Sequence, residues 1–479
     1  MRAAPKLVHG VLAGLTDLCV LRLARRWLGR PAVPWAALAQ LTSWFNGFCL
    51  PRTYSNGVEA LLLVAALALW DDPVASLAGR APAGGGAASG TRGAFAGALL
   101  ASLSVLVRPP ALIPWGFLGA AVLLRGPPGA TSRAMRAAPP ALITALALSA
   151  CADRWLYGRW TAPLVEFVRF NVLTGSSAQY GTHHPLWYFA EGAGAVLASL
   201  LVPIGWLVWA ARRSGARGEA SGKEREGAQA ARGAAALASV GLSSLAGLSA
   251  VGHKEFRFML PALQLLVPAA GAGLAAMWGG GRPGRWAVRA VVAVQAAMLL
   301  FFGFVHQRGG TAALEHLSRA PGGGGGAYVL MPCHATPFHA YVHSPEMPLG
   351  FPDCSPPAWR PEGVFTFPAG APLTMAEWAA AGGGGDDGAA GGASEESLVL
   401  GEPGQFLRAL EARGALPQRL VVYDTLLSRL SGGDGGVLGG MGYAEEARFF
   451  HSPLPSDHGD VRWVVVLARR GSGPGGREP

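Results

Sequence analysis

The sequence predicts an α-helical polytopic membrane protein with a small C-terminal α/β domain, on three observations. Of its 479 residues 51% are hydrophobic and only 14% charged, with a mean hydropathy of +0.31. Long apolar runs are separated by short gaps rich in arginine up to about residue 305. Beyond that point the runs shorten and become β-branched. Long apolar runs are what a bilayer demands of a spanning helix, and arginine between them is what sets its orientation.

Taken in order, the apolar runs give ten candidate crossings, near 7–22, 34–50, 56–70, 93–107, 110–124, 138–152, 188–210, 234–251, 258–278 and 286–305. Arginines fall in alternate gaps: Arg22, Arg25, Arg26 and Arg30; then Arg80 and Arg92; then Arg125, Arg133 and Arg136; then Arg212 to Arg232; then Arg282, Arg285 and Arg289. By the positive-inside tendency these gaps share the cytoplasmic face. The opposite face then receives Pro51–Glu59, Arg108-Pro109-Pro110, the long loop Asp153–Trp187 and His253–Phe258. Residues 1–305 are therefore a multi-span domain. Residues 306–479 are a C-terminal domain with strands at Tyr328–Met331, Leu420–Tyr423 and Trp463–Leu467 and a helix at Gln405–Ala412. Gly322–Gly326 is expected to be a flexible connector, and the Gly- and acid-rich insert 382–397 to be disordered.

The net charge of +10 comes almost wholly from arginine, since Lys6, Lys223 and Lys254 are the only lysines, so it carries no nucleic-acid meaning. Five cysteines show no CxxC pair, which argues against a zinc or redox centre. Cys333 and Cys354 lie in the polar region and would pair in a disulfide if that region faces an oxidising compartment. The adjacent His183 and His184 lack helical or hairpin ligand spacing, so no metal is expected there.

Charge is most concentrated in His253-Lys254-Glu255-Phe256-Arg257-Phe258, between two apolar runs. A charged group at membrane depth costs a few kcal/mol or more and usually faces a protein interior or wet cavity. Basic residues at a helix end are often plain topological anchors. Here the cluster falls on the face where that tendency disfavours it, so anion binding is the better explanation. Glu59, one turn inside its run, needs a partner, for which Arg52 is the nearest candidate. Ser55 or Asn56 would otherwise simply cap that helix. Asp17 raises the same question, with Arg22 or a neighbouring helix as partner. The tryptophans of the long loop read as interfacial anchors whose faces could also stack on a sugar.

The hexapeptide resembles the HKExRF signature of the membrane mannosyltransferases of glycosyltransferase family 22, which have a GT-C type fold. Within the family, three stretches look most like the branch that adds the third mannose of the glycosylphosphatidylinositol (GPI) anchor precursor. They are Arg52-Thr53-Tyr54-Ser55-Asn56-Gly57-Val58-Glu59, the Phe170–Tyr188 segment, and Met331-Pro332-Cys333-His334-Ala335-Thr336-Pro337 with Cys354-Ser355-Pro356-Pro357. The resemblance implies an endoplasmic reticulum membrane location, a lumenal C-terminal domain, and transfer of mannose from dolichyl phosphate mannose to a GPI lipid precursor without a cofactor. It implies that His253, Lys254 and Arg257 receive the donor phosphate. It extends substrate binding to Arg52, Glu59, His183, His184 and Trp187. Asp153 and Glu166 are the acidic residues of the long loop and so the candidates for a catalytic carboxylate.

The pattern departs from the family in two places. His184-Pro185-Leu186-Trp187-Tyr188 lacks a second histidine, and the acidic pair that the family carries after a first helix has no counterpart before Lys6. A chain of this kind is expected to be a piece of a longer protein or an inactive relative. The alternatives are another member of the family, adding the fourth GPI mannose or building the lipid-linked N-glycan, and a transporter or scaffold whose charges line a pathway.

Overall fold

The computed structural model describes residues 3–81, 90–214, 222–320, 326–343, 347–354, 364–365, 373–374, 395–431, 436–455 and 459–470. It divides into a helical unit up to Gly303 and an α/β unit from Phe304. Every one of the ten apolar runs is helical. The helices are α1 (Ala3–Trp27), α2 (Val33–Thr42), α3 (Trp44–Cys49), α4 (Ser55–Leu69), α5 (Asp72–Ala78), α6 (Thr91–Val107), α7 (Leu112–Arg125), α8 (Ala130–Tyr157), α9 (Pro163–Val168), α10 (Ala193–Leu197), α11 (Leu201–Ser214), α12 (Gly222–Ser249), α13 (Leu260–Gly279) and α14 (Gly281–Phe304). Among the described residues six helices are long and apolar enough to cross a bilayer on their own, and a seventh if the bent pair α4–α5 is one span. The remaining runs are broken or short, and the breaks have local causes.

The run 34–50 breaks at Ser43, whose side chain accepts from the Asn46 amide and caps α3. The run 188–210 breaks at Ala198, where φ is +47°. Each break orphans backbone groups inside an apolar bundle, where no water can satisfy them. Gln295 on α14 repairs both: its Oε1 accepts from Trp44 N at 3.0 Å, and its Nε2 donates to Leu197 O at 2.9 Å.

At the centre stands α13, buried on nearly every side. A helix apolar all round is one packed all round. Gly271 and Gly273 permit this, since a Cβ would lie 2.6 Å from Ala36 Cα and 1.9 Å from Pro203 O. One end of the bundle is locked by buried ion pairs, Arg26 to Asp71 and Arg133 to Asp72 at 2.8 Å. Beside them Arg80 donates to the Trp27 carbonyl. These residues belong to the gaps that the arginine alternation assigns to a single face. Among the described residues Asp17 finds its partner in neither Arg22 nor any other cation: Gln40 Nε2 donates to it at 2.8 Å.

The expected long loop begins later than Asp153. Helix α8 runs on to Tyr157 and stops where Gly158 takes φ +67°, the left-handed conformation that ends helices and favours glycine.

In the second unit, α15 (Gly309–Leu317) precedes strands β1 (Ala327–Leu330), β2 (Leu349–Gly350), β3 (Val364–Phe365), β4 (Leu373–Thr374), β5 (Arg419–Tyr423), β6 (Tyr443–Phe450) and β7 (Trp463–Arg469). Five of them form a mixed sheet in the order β2-β1-β5-β7-β6, with β3 and β4 in a separate hairpin. The helix Pro403–Ala412 packs its Phe406 against Tyr328 of β1. Strand β6 is absent from the sequence reading because its Glu445-Glu446-Ala447-Arg448 stretch lacks an alternating apolar face. It is an edge strand with an irregularity between Glu445 and Ala447, where charge is tolerated. Residues 382–394 of the expected disordered insert, and 322–325 of the connector, lie outside the described residues. Glu395–Ser397, by contrast, open the helix Glu395–Gly401, which buries Val399. Cys333 and Cys354 are joined in a disulfide, Cα to Cα 5.9 Å.

Candidate functional site

The hexapeptide lies between α12 and α13 as an extended stretch ending in a 3-10 turn, Phe256–Met259. Three of its ionisable groups form one unit around Glu255. Arg257 forks onto the carboxylate, Nη2 to Oε1 at 2.7 Å and Nε to Oε2. His253 Nε2 meets Oε1 at 3.1 Å, and its Nδ1 meets the Gly181 carbonyl at 3.2 Å. Both ring nitrogens face oxygen acceptors, and only the imidazolium can donate to both. Its pKa is accordingly raised, chiefly by the Glu255 hydrogen bond against the opposing effect of burial. Burial pushes the Glu255 carboxyl up, yet the hydrogen bonds and charges of His253 and Arg257 outweigh it and hold the group at about 2. Two cations around one anion leave the trio with net positive charge. Arg257, with 43% of its side chain exposed, turns that charge toward solvent.

Lys254 has a different surrounding from the one expected of a phosphate ligand. The residue is 3% exposed, and its ammonium donates to the carbonyls of His183, at 3.2 Å, and Val251. Burial pulls its pKa down. With His183 N donating to Gly252 O at 3.0 Å, it stitches the 180–187 loop to the hexapeptide. Its role in this geometry is that of a strut.

Other expected residues are redistributed. Glu59 is not paired with Arg52. Arg108 Nε reaches Glu59 Oε2 at 3.0 Å and Arg108 Nη1 reaches Ser55 Oγ at 3.0 Å, so Ser55 serves Arg108 instead of capping α4. Arg52 lies over the Phe48 ring at 3.5 Å and donates to the Phe48 carbonyl at 2.5 Å. Arg108 is a residue of this cluster that the sequence reading leaves out, although its place before Pro109-Pro110, in a gap opposite the arginine-rich ones, is the available signal. Trp187 is 4% exposed, its ring covered by His183 at 4.9 Å and Phe256 at 4.7 Å. It cannot offer a face to a sugar; Phe256, 42% exposed, is the open aromatic face of that stack. His184 pairs with Glu191 at 3.1 Å in an exposed position.

The two carboxylate candidates of the long loop stand apart. Asp153 lies near the C-terminal end of α8, and its carboxylate has no hydrogen bond or ion pair among the described residues. Glu166 is 71% exposed on the short α9, 3.9 Å from Arg169. Neither is joined to the trio by a hydrogen bond or ion pair among the described residues.

All four clusters that the arginine alternation sets opposite the arginine-rich gaps thus converge, the long loop through its Gly181 and His183 contacts to the hexapeptide. Arg257 lies over Tyr54 at 5.6 Å and Arg108 over Phe258 at 5.2 Å. Beside the trio, Asn56, Glu59, Arg108, Ser244, Phe258 and Pro261 line a cleft. In the second unit Cys333, His334 and Glu396 stand as close together as metal ligands would, but the Cys333 sulfur is committed to the disulfide.

Residues 1–343 match the model of the Alg9-like mannosyltransferase family. GPI mannosyltransferase 3 of Yarrowia lipolytica is 28% identical over 357 residues, covering 74% of this chain and 62% of that protein. GPI alpha-1,2-mannosyltransferase 3 of Mus musculus is 29% identical over 359 residues, covering 74% of this chain and 59% of that protein. The chain spans about three fifths of the length of these curated relatives. In fold it is similar to ArnT from Cupriavidus metallidurans, solved in the apo state, with a TM-score of 0.51 at 13% identity over 98% of this chain and 84% of that one. A second ArnT structure, at 12% identity, is bound to undecaprenyl phosphate. Apolar helices and relatives together make this a multi-pass membrane protein.

Proposed function

The chain belongs to the Alg9-like mannosyltransferase family, and from that premise we propose that it transfers mannose from dolichyl phosphate mannose, in α1,2 linkage, as the third mannose of the GPI anchor precursor. The reaction is assigned to the lumenal face of the endoplasmic reticulum membrane. The acceptor is the two-mannose GPI lipid. The relatives carry a GPI mannosyltransferase activity in their names, and the polyprenyl phosphate bound by ArnT is the chemical class of the donor's lipid.

In this reaction the 2-hydroxyl oxygen of the acceptor's terminal mannose attacks C1 of the donor mannose. The bond from C1 to the phosphate oxygen breaks, its electron pair leaves on dolichyl phosphate, and the hydroxyl proton passes to a base. Attack opposite the leaving group converts a β-linked donor into an α-linked product. The protein's largest contribution to such a step is fixed positive charge where negative charge develops.

The trio of His253, Glu255 and Arg257 is the observation that carries the reading. Glu255 holds the imidazolium and the guanidinium in one orientation, so no reorganisation is needed as the phosphate departs. Glu255 itself is not the base, because a carboxyl held at about 2 takes up little of a proton at neutral pH. Lys254 supports the trio from below.

The test is the lipid profile of cells lacking the gene. A two-mannose GPI intermediate is expected to accumulate and to disappear when the full-length protein is restored, but not when Arg257→Ala is. Accumulation of a three-mannose GPI species, or of truncated N-glycan lipids, would reassign the chain to another branch of the family. An unchanged profile would favour a transporter or scaffold.

A further inference from the structure

Among the described residues a cluster of metal-ligating side chains stands at the disulfide of the second unit. A sulfur, an imidazole nitrogen and a carboxylate oxygen, from Cys333, His334 and Glu396, lie within 4.8 Å of one another. Cys354 adds a second sulfur, bonded to that of Cys333. The cysteines are 21 positions apart, and Cys333 is 63 positions from Glu396. The lack of a CxxC pair therefore says nothing about this cluster, whose members come from three separate stretches of chain.

The distances and donor types suit zinc. Cys333 Sγ is 3.8 Å from His334 Nδ1. Two ligands on one tetrahedral zinc, at about 2.3 Å for sulfur and about 2.0 Å for nitrogen, stand about 3.6 Å apart. Glu396 Oε2 is already at the cluster, where it accepts from Cys333 N at 3.0 Å. Two thiolates, an imidazole and a carboxylate make a complete tetrahedral set for this ion.

The scaffold around the cluster does not depend on the S–S bond. Cys333 is three residues past the end of β1 and Cys354 four past the end of β2, and the two strands pair in parallel, Ala327 opposite Leu349 and Tyr328 opposite Gly350. Glu396 opens the helix Glu395–Gly401, anchored by buried Val399. Strand pairing and burial thus keep all three stretches together when the bond is open. His334 and Cys354 are exposed, so a reductant and a metal ion can reach them.

We propose that reduction converts this cluster into a zinc site, in which Cys333, Cys354, His334 and Glu396 hold one Zn²⁺ and the metal replaces the disulfide as the crosslink between the ends of β1 and β2. A dithiol supplies the two electrons and two protons that turn the S–S bond into two thiols, and itself closes to a disulfide. Zinc then displaces both thiol protons and forms two Zn–S bonds, with His334 bound as neutral imidazole through Nδ1 and Glu396 as carboxylate. The site exists only after reduction, because the thiolate is the ligand and a disulfide sulfur is not one.

The experiment uses full-length protein in detergent, either oxidised or reduced with a phosphine, which avoids the competition for zinc that a dithiol would bring. The phosphine takes the oxygen of one water, whose hydrogens complete the two thiols. Zinc binding is measured by competition with a chromophoric chelator, and coordination geometry by the visible spectrum of bound Co²⁺. Reduced protein is expected to bind one equivalent with a tetrahedral cobalt spectrum, and oxidised protein none. His334→Ala and Glu396→Gln both retain the disulfide, so their folding is checked in the oxidised state. Each should weaken zinc binding to the reduced protein by about tenfold or more, since losing a ligand costs at least as much as losing a residue that merely supports one. With chelator present, limited proteolysis should cut reduced protein faster than oxidised protein, and zinc should restore the slower rate. Failure of the reduced protein to bind zinc, or equal binding by the oxidised protein, overturns the proposal. So does an affinity unchanged in either variant, which would assign the metal to the thiols of Cys19, Cys49 or Cys151. Zinc that binds without slowing digestion overturns the crosslink.

Discussion

Arg108 and Glu59, 49 positions apart in sequence, meet at 3.0 Å between the end of α6 and the first turns of α4. The contact joins two charges that sequence spacing does not pair into one neutral pair at the edge of the candidate site. It also explains why a glutamate is tolerated in an apolar helix.

Removing one member should cost far more than removing both. Arg108→Met leaves Glu59 buried and uncompensated, and a loss of about 3–5 kcal/mol is expected, as for other broken buried pairs. The double variant Arg108→Met, Glu59→Gln should recover much of that loss in thermal unfolding of the detergent-solubilised protein. Equal losses in the single and double variants would mean that the pair contributes no coupling.

The trio should give the protein a pH signature. Glu255 is lowered from 4.5 to about 2, so its contribution to stability is complete above its unfolded value and is lost as pH falls from 4.5 toward 2. The pKa of His253 is raised above 6.5, so its contribution is complete below 6.5 and is lost as pH rises through the raised value. Donor affinity should therefore decline on the alkaline side. His253→Gln should abolish that decline, and an identical profile in the variant would refute the imidazolium's role.

Lys254 should behave as a strut. Lys254→Met is expected to speed hydrogen exchange at Gly181–His184 and to lower stability by roughly 1–3 kcal/mol, the cost of unsatisfied buried carbonyls. Any rise in donor KM should be smaller than that caused by Arg257→Ala. The reverse order, with exchange unchanged, would return Lys254 to the phosphate.

Gln295 bridges two broken helices, so Gln295→Leu orphans Trp44 N–H and Leu197 C=O together. About 2–6 kcal/mol of destabilisation is expected, from two buried groups at 1–3 each. Gln295→Glu, which retains the Trp44 acceptor, should retain part of it. A neutral result in thermal denaturation would contradict the bridge.

In the second unit, Cys333→Ser should cost about 3 kcal/mol, the entropy of a loop with a separation of 21 residues. Limited proteolysis under reducing and non-reducing conditions measures it. Equal digestion rates would mean that the bridge constrains nothing.

The amino-acid sequence by itself determined the ten helical runs, the placing of the arginine-rich gaps between them, the hexapeptide as a break between the eighth and ninth of those runs, and three strands of the second unit. These are properties of apolar length and charge alternation along the chain, and a bilayer enforces both without regard to neighbours. Tertiary structure alone decided which charges meet. Glu59 chose Arg108 over the closer Arg52, Lys254 turned inward to backbone carbonyls, and Trp187 lost its open face to His183 and Phe256. Partner choice depends on three-dimensional distance and on what burial leaves exposed, and neither is written in spacing. Strand β6 escaped for the related reason that an edge strand can take its order from the neighbour it pairs with.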